Sequence, residues 1–217
     1  PLWSRGLGDV YKRQGQGAVV ERYIDFDFEA TILAARSIDP STGELATWFC
    51  EPIGTRHREG RLVESWQPAP LPEAAMDNAR SIAARIVGAL ASCGIFSVEM
   101  FVSGDDVYFS QVTPRPSRDG LVTFVTQRIN QFDLQARATQ RLPIDSTLIS
   151  PGAVRFLEGH PSQAALAAAM AVEEVTVRML GDGTLVLATA DSAAEARQRT
   201  DEAVREIHKI DGKPGEN

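Results

Sequence analysis

The stretch from Ile95 to Pro114, IFSVEMFVSGDDVYFSQVTP, constrains the fold more than any other part of the chain. β-Branched and aromatic residues run on either side of Ser-Gly-Asp-Asp, which reads as two strands folded back on each other in a hairpin. Its register decides what the hairpin can do. A three-residue loop, Gly104 to Asp106, pairs Glu99 with Gln111 on one face of the ribbon, side chains about 5 Å apart. A two-residue loop puts them on opposite faces. The chain then continues Pro114-Arg115-Pro116-Ser117-Arg118-Asp119-Gly120. Two prolines and a glycine take it out of the sheet and hold Arg115 rigidly at the strand's end.

Two metal-capable side chains facing each other, with an arginine four residues past the second, suit phosphoryl chemistry. A magnesium ion that bridges phosphate oxygens needs few protein carboxylates, and a fixed guanidinium neutralises a transferring phosphoryl group. The plainer reading is that Glu99 faces water, Gln111 is a polar strand residue and Arg115 makes a surface ion pair. Spacing alone leaves both open.

The rest of the chain supplies a frame for the hairpin. Around Gly17 to Asp39, β-branched runs and the alternating Ile24, Phe26 and Phe28 predict two strands broken near Glu21 to Tyr23, with Asp25, Asp27 and Glu29 on one face. TWFCEPIG and VESWQP read as further strands of a meander, joined by the turn HREGRL. From Pro72 to Cys93, Met76, Ala79, Ile82, Ala83, Ile86, Val87 and Leu90 recur at helical spacing, with Gly94 expected as the C-terminal cap. A helix over Ile129 to Leu142, a strand in SPGAVRFLEG, a short helix in SQAALAAAM and a hairpin turning at Gly181 to Gly183 follow. Ser192 and Glu195 form a capping box for a last helix reaching about His208. A change of lobe is expected between Pro143 and Pro151.

Composition narrows the function classes. A net charge of −7 without a basic cluster gives no footprint for nucleic acid or an anionic membrane, and no apolar run approaches the roughly 18 residues of a membrane span. Cys50 and Cys93 lie beside apolar residues and offer neither a disulfide framework nor metal-ligand spacing. A cytoplasmic protein with buried free thiols is expected. The segment SRGLGDVYKRQ, Ser4 to Gln14, follows Pro1 rather than an initiating Met. It resembles the translation of a transposon-end sequencing adapter, so residues 1 to 14 are expected to be foreign to the fold.

Together, FSVEMFVSGDDVYFSQVTPRP, VESWQP, YIDFDFEATIL and VLATADS resemble the formate-dependent phosphoribosylglycinamide formyltransferases of the ATP-grasp superfamily. The resemblance implies an α+β fold. An ATP-grasp C-terminal lobe, an antiparallel sheet with packed helices over residues 15 to 145, would be joined to a small β-rich subdomain over 146 to 217. It implies ATP and Mg²⁺ as cofactors, formate and glycinamide ribonucleotide as substrates, a formyl phosphate intermediate in purine synthesis, and a homodimer. Glu21, Arg22, Tyr23 and Ile24 then correspond to the hinge whose backbone reads adenine, and Glu29 to the acid that holds the ribose hydroxyls. Glu99 and Gln111 take the two metal-ligand positions. Arg115 matches the arginine near the reacting phosphate.

Several positions depart from the family pattern. Gln111 replaces a glutamate, keeping an oxygen but losing the charge, which weakens a hard-cation site. Ser117, Arg118, Asp119 and Gly120 stand where the family has His-Asp-Thr-Gly, so Arg118 and Asp119 are the expected amine-substrate residues in altered order. The family's loop with a lysine and paired arginines for the substrate phosphate is cut to Gly181-Asp182-Gly183, with no replacement cations evident. In GTRHREG, His57 departs from the family's pattern and is expected to be a solvated turn residue. The N-terminal domain, the glycine-rich loop and the lysine that cover the ATP phosphates are also missing from this sequence. The departures leave open a paralogue that activates another carboxylate, or a nucleotide-binding module without catalysis.

Overall fold

A computed structural model describes residues 23–90, 92–181 and 183–212. The adapter-like segment, the strand expected before Glu21, and Glu21 and Arg22 themselves lie outside the described residues. In chain order the elements are β1 (Phe28–Ile38), β2 (Leu45–Phe49), β3 (Ile53–Arg58), β4 (Arg61–Gln67), α1 (Glu73–Leu90), β5 (Gly94–Ser103) and β6 (Asp106–Thr113). A 3-10 turn (Asp119–Val122) leads into the short α2 (Thr123–Thr126) and α3 (Gln131–Thr139). Then come β7 (Gly152–Glu158), α4 (Gln163–Ala169), β8 (Val175–Leu180), β9 (Gly183–Thr189) and α5 (Ala193–Asp211).

Among the described residues the strands join one antiparallel sheet in the order β6-β5-β1-β3-β4-β7-β9-β8, with β2 also paired to β1. β1 organises it. One edge pairs with β5 from Phe28 to Arg36, while the other is shared by β3 at Glu29 to Thr31 and β2 at Ala34 to Ile38. The expected single strand TWFCEPIG is therefore two, interrupted around Pro52, whose ring leaves no N–H for a ladder. The β3–β4 hairpin turns through Glu59 and Gly60, both at positive φ, the backbone that a two-residue turn of matching twist requires. β7 hydrogen-bonds to β4, so the sheet runs unbroken through the expected divide between residues 145 and 146.

Strand alternation separates two apolar layers. On the back face, Ile32, Ala34, Phe96, Val98 and Met100 meet Ala79, Ala83 and Val87 of α1. The buried line of that helix is Ala75, Ala79, Ala83 and Val87, so small side chains let it lie close on the sheet. Leu90, expected in the stripe, is 44% exposed. Farther along the same face α4 and α5 cover β9, with Ala165, Ala169, Val186, Ala203, Val204 and Ile207 in contact. On the front face Leu33, Ala35, Ile53 and Ile95 pack against Leu121, Val122 and Leu134 of the 3-10 turn and α3. That cover is short. It closes one half of the front face; over the other half, around Glu29 and Glu99, no helix lies among the described residues.

Two capping expectations differ in outcome. Ser192 accepts the Glu195 N–H at 3.2 Å, as a capping residue should, and α5 continues to Asp211 before Gly212 turns left-handed at φ 68°. Gly94 does not cap α1: it begins β5 instead, at φ 144°. Gln135 of α3 accepts the next N–H, of Ile95, at 2.7 Å, which ties the front cover to the sheet. Cys50 is buried and its thiol is pushed up to about 11 by that burial; Cys93 is partly buried and also free.

Candidate functional site

On the open half of the front face, strand register assembles a row of polar side chains. Glu29 of β1 lies opposite Thr55 of β3, Thr31 lies opposite Glu99 of β5, and Glu99 lies opposite Gln111 of β6. The Gln111 Nε2 donates to Glu99 Oε2 at 2.7 Å. The expected pairing is thus present, but the expected loop is not. Ser103 pairs with Asp106, leaving only Gly104 and Asp105 in the turn, and a bulge between Phe109 and Gln111 restores the register. Such a bulge places two residues opposite one and re-aims the side chains beyond it. Without it a two-residue turn would send Gln111 to the other face.

The loop after β6 closes this row. Asp119, 7% exposed, accepts a hydrogen bond from Thr31 Oγ1 at 2.9 Å, while its backbone carbonyl accepts one from Ser65 Oγ at 3.0 Å. Gln131, fully buried, fastens the same loop twice. Its Oε1 accepts from the Ser117 N–H at 3.1 Å and its Nε2 donates to the Ser117 carbonyl at 2.8 Å. A Cβ on Gly120 would sit 2.2 Å from that Oε1, so only glycine admits the clamp.

Three carboxylates share the site. Burial raises Glu99 above the ordinary range, with the nearby Asp119 charge adding to the effect and the Gln111 hydrogen bond opposing it. Asp119 is raised by burial, against the Thr31 hydrogen bond and the His57 charge. His57 supplies the compensating cation: its Nδ1 contacts Glu29 Oε2, and that hydrogen bond holds the imidazole above its usual value despite partial burial, with Glu29, Asp119 and Glu99 all favouring the charged ring. The expectation of a solvated turn residue is corrected here. His57 is the fifth residue of β3, two beyond Thr55 and on the same face, with its side chain 31% exposed.

Arg118 and Asp119 are adjacent in sequence but face different surroundings. While Asp119 meets Thr31, the Arg118 guanidinium carbon lies 5.2 Å from the centre of the Phe156 ring on β7. There it lines a cavity of about 1050 Å³ with Arg58, Arg61 and Glu158. Arg115 is exposed and donates to the neighbouring Pro116 carbonyl at 3.1 Å. Of the expected hinge, Tyr23 is 67% exposed and Ile24 partly buried, both just ahead of β1. Asp25 and Asp27 also precede the strand instead of sharing its face with Glu29. Asp27 accepts the Gly104 N–H at 2.8 Å and so braces the β5–β6 turn.

Thr31, His57 and Gln131 were not legible as site residues. The alternation Glu29-x-Thr31 could have flagged the first, and the Thr55-x-His57 spacing the second. Nothing local marks Gln131, whose partners lie 14 residues away.

Comparison with known proteins places the chain as a whole. An ATP-grasp domain model matches residues 5–132. A formate-dependent phosphoribosylglycinamide formyltransferase of Corynebacterium jeikeium is 52% identical over 215 residues, covering 93% of this chain and 52% of that protein. One from Paraburkholderia xenovorans is 38% identical, covering 98% and 56%. Among solved structures, glycinamide-RNase-transformylase T from Mycobacterium tuberculosis superimposes with a TM-score of 0.79 at 42% identity, over 86% of this chain and 57% of that one. An N5-carboxyaminoimidazole ribonucleotide synthetase from Thermus thermophilus gives 0.77 at 25% identity, over 95% and 57%. The chain spans about half the length of the relatives it matches.

Proposed function

This chain belongs to the ATP-grasp family, among homologues named formate-dependent phosphoribosylglycinamide formyltransferase, and we propose that it is the nucleotide- and metal-holding half of such an enzyme. The whole enzyme would use ATP to activate formate and pass the formyl group to glycinamide ribonucleotide. The observation that carries this reading is the Glu99–Gln111 pair set beside Glu29 and Asp119 on the open half of one sheet face.

The residues present fit a divalent cation held jointly with phosphates. Burial raises both Glu99 and Asp119, with the Asp119 charge adding to the first and the Glu29 charge to the second, a charge excess that a cation would relieve. Among the described residues no group of three or more His, Cys, Asp or Glu is placed to hold a metal ion by itself, so a cation here would have to take most of its oxygens from substrate and water. Glu99 and the Gln111 amide oxygen would hold it, and magnesium bound there would supply positive charge to offset that of a nucleotide's phosphates.

Each side chain then has a definite task. Glu29 accepts hydrogen bonds from vicinal ribose hydroxyls, for which a carboxylate has spare lone pairs even with one oxygen on His57. His57 fixes the orientation of that carboxylate. Asp119, locked by Thr31, presents an acceptor toward an incoming amine. Arg115 lies at the strand's end, free to swing toward a transferring phosphoryl group. The backbone of Glu21 to Ile24 belongs to the adenine edge in the same proposal, as do a lobe boundary near residue 145, a cytoplasmic location and a homodimer. The described helices include none long and apolar enough to cross a membrane.

The test is calorimetric titration of the chain with ADP and MgCl₂, comparing Glu29→Gln. Binding that requires magnesium and weakens about tenfold in the variant supports the reading; magnesium-independent binding, or none, refutes it. The chain alone should produce no formylglycinamide ribonucleotide. A second reading, a nucleotide-binding module without catalysis, is favoured by the neutral Gln111 amide that now points its NH₂ group at Glu99. Formate-dependent ATP turnover by a protein of the relatives' length would exclude it.

A further inference from the structure

The carboxylate row carries a cation of its own. His57 reaches it from β3, two residues beyond Thr55 and so on the face that Thr55 shares with Glu29, and its Nδ1 contacts Glu29 Oε2. The charged groups that act on the ring come from three other elements: Glu29 from β1, Glu99 from β5, and Asp119 from the loop that closes the row. All three are carboxylates and all three favour the protonated ring. The arginines adjacent in sequence are engaged elsewhere. Arg56 pairs with Glu64 on the opposite face, Arg58 lines the cavity beside β7, and Arg118, next to Asp119, turns toward Phe156.

A proton on His57 and a metal ion at Glu99 and Gln111 answer the same charge excess. Two cations in one carboxylate cluster repel each other, and a bound divalent ion, being the larger local charge, lowers the proton affinity of the groups around it. Linkage makes the effect reciprocal: the protonated ring weakens the metal by the same factor. The His57 side chain is 31% exposed, so its proton can pass to solvent while the strand stays in place. The sign follows from the direction in which Glu29 moves the ring. His57 is held above its ordinary 6.5, so metal affinity is weak on the acid side, rises as pH climbs through the raised value, and levels off above it. Glu99 and Asp119 start from ordinary values of 4.5 and 3.8, and their titration adds to the acid side of the same profile.

We propose that the His57 proton and the divalent cation compete for one carboxylate row: the imidazolium carries the row's countercharge until the cation binds at Glu99 and Gln111, and its proton then leaves to solvent. The inference rests on the metal-site reading above and adds to it a residue that sets the affinity for the ion without touching it. One proton is released for each ion taken up by the fully protonated row, and the ring remains on Glu29 as a neutral donor.

The test is a pH series on the full chain, with MgCl₂ alone and MgCl₂ with ADP as probes and NaCl at matched ionic strength as the blank. Imidazole NMR follows His57, with His160 and His208 as internal references. Adding MgCl₂ should move the His57 titration to lower pH and leave the other two in place. Calorimetry in two buffers of different protonation heat should show protons released as magnesium binds. His57→Gln keeps an N–H donor for Glu29. It should bind magnesium about fivefold more tightly than wild type near about pH 6, match it near about pH 8.5, and release fewer protons. The titration of the carboxylates and of ADP's own phosphates is common to both proteins and cancels in the comparison. A His57 titration that ignores MgCl₂ with and without ADP, or equal magnesium affinity of the two proteins near about pH 6, would overturn the proposal. Magnesium-dependent ADP binding with one pH profile in both proteins defeats this inference alone. A His57 titration that moves with MgCl₂ in a chain that binds no ADP keeps the exchange and defeats the nucleotide reading.

Discussion

Glu99 meets Gln111 across the β5–β6 hairpin through a bulge, not through the turn. The two-residue turn at Gly104 and Asp105 fixes one register from Ser103 to Met100, and the extra residue Ser110 shifts it by one before Glu99. The facing pair on which the proposed metal site depends is therefore set by a local distortion of the edge strand.

Gln111→Glu restores a second carboxylate at this point. It should lower the Mg²⁺ concentration needed for half-maximal ADP binding by about tenfold, since an added anionic oxygen strengthens a hard-cation site. Magnesium titrations of both forms at fixed ADP give the comparison. An unchanged requirement would remove residue 111 from the ligand set.

His57 has a folded-state pKa above its ordinary 6.5, chiefly through the Glu29 hydrogen bond. The pair's contribution to stability should be fully present below that ordinary value and fade as pH rises through the elevated one. Imidazole NMR titration should show His57 deprotonating later in wild type than in Glu29→Gln, and stability near neutrality should fall less with pH in the variant. Identical titration curves would mean that the contact does not persist in solution.

Asp119→Asn should melt at a higher temperature than wild type at neutral pH. Burial raises this carboxyl, so ionising it costs folded-state stability as pH climbs through the raised value. An asparagine oxygen still accepts the Thr31 hydroxyl. The advantage should vanish below the ordinary 3.8, where aspartate is protonated in both states. Thermal melts across acid to neutral pH would show it, and a lower melting point at neutrality would contradict the account.

Gln131→Ala removes both hydrogen bonds to Ser117 and leaves the N–H and C=O of that partly buried residue without their partner. A loss of about 2–4 kcal/mol is expected in urea denaturation, with faster amide exchange across Ser117 to Gly120. Exchange unchanged in that loop would show that Gln131 does not position Arg118 and Asp119.

Glu64→Ala tests the face of the sheet opposite the candidate site. Glu64 is fully buried on the back of β4, held by Arg56 at 2.9 Å and by a forked Arg197 at 2.8 and 3.0 Å, with Arg197 stacked 4.0 Å from the centre of the Trp66 ring. A Cβ at Gly54 would fall 2.2 Å from that indole, so the stack needs glycine beneath it. Losing the carboxylate removes the shared acceptor of Arg56 and Arg197, whose side chains are 44% and 36% exposed, and should cost about 1–3 kcal/mol in chemical denaturation. A loss under a third of that range would show that water already satisfies them.

Local pattern in the sequence determined a great deal. Period-two alternation named most strands, the Ala79, Ala83 and Val87 spacing named α1, and Ser192 named the start of α5, because each signal depends on neighbours within a few residues. The quoted motifs named Glu29, Glu99, Gln111 and Asp119 as candidates, and the structure sets them on one half of one sheet face. What tertiary structure alone decided depends on partners far apart in the chain. The bulge at Ser110 follows from how β6 must lie along β5. His57 joins the candidate site because β3 pairs with β1, bringing it to Glu29 across 28 positions. Arg58, Arg61 and Arg118 read singly as solvated charges and become one cavity wall only when the β3–β4 turn and the loop after β6 meet beside β7. A side chain's intrinsic preference is written in its own segment, but its dielectric surroundings and its countercharges are supplied by whichever strands the sheet sets beside it.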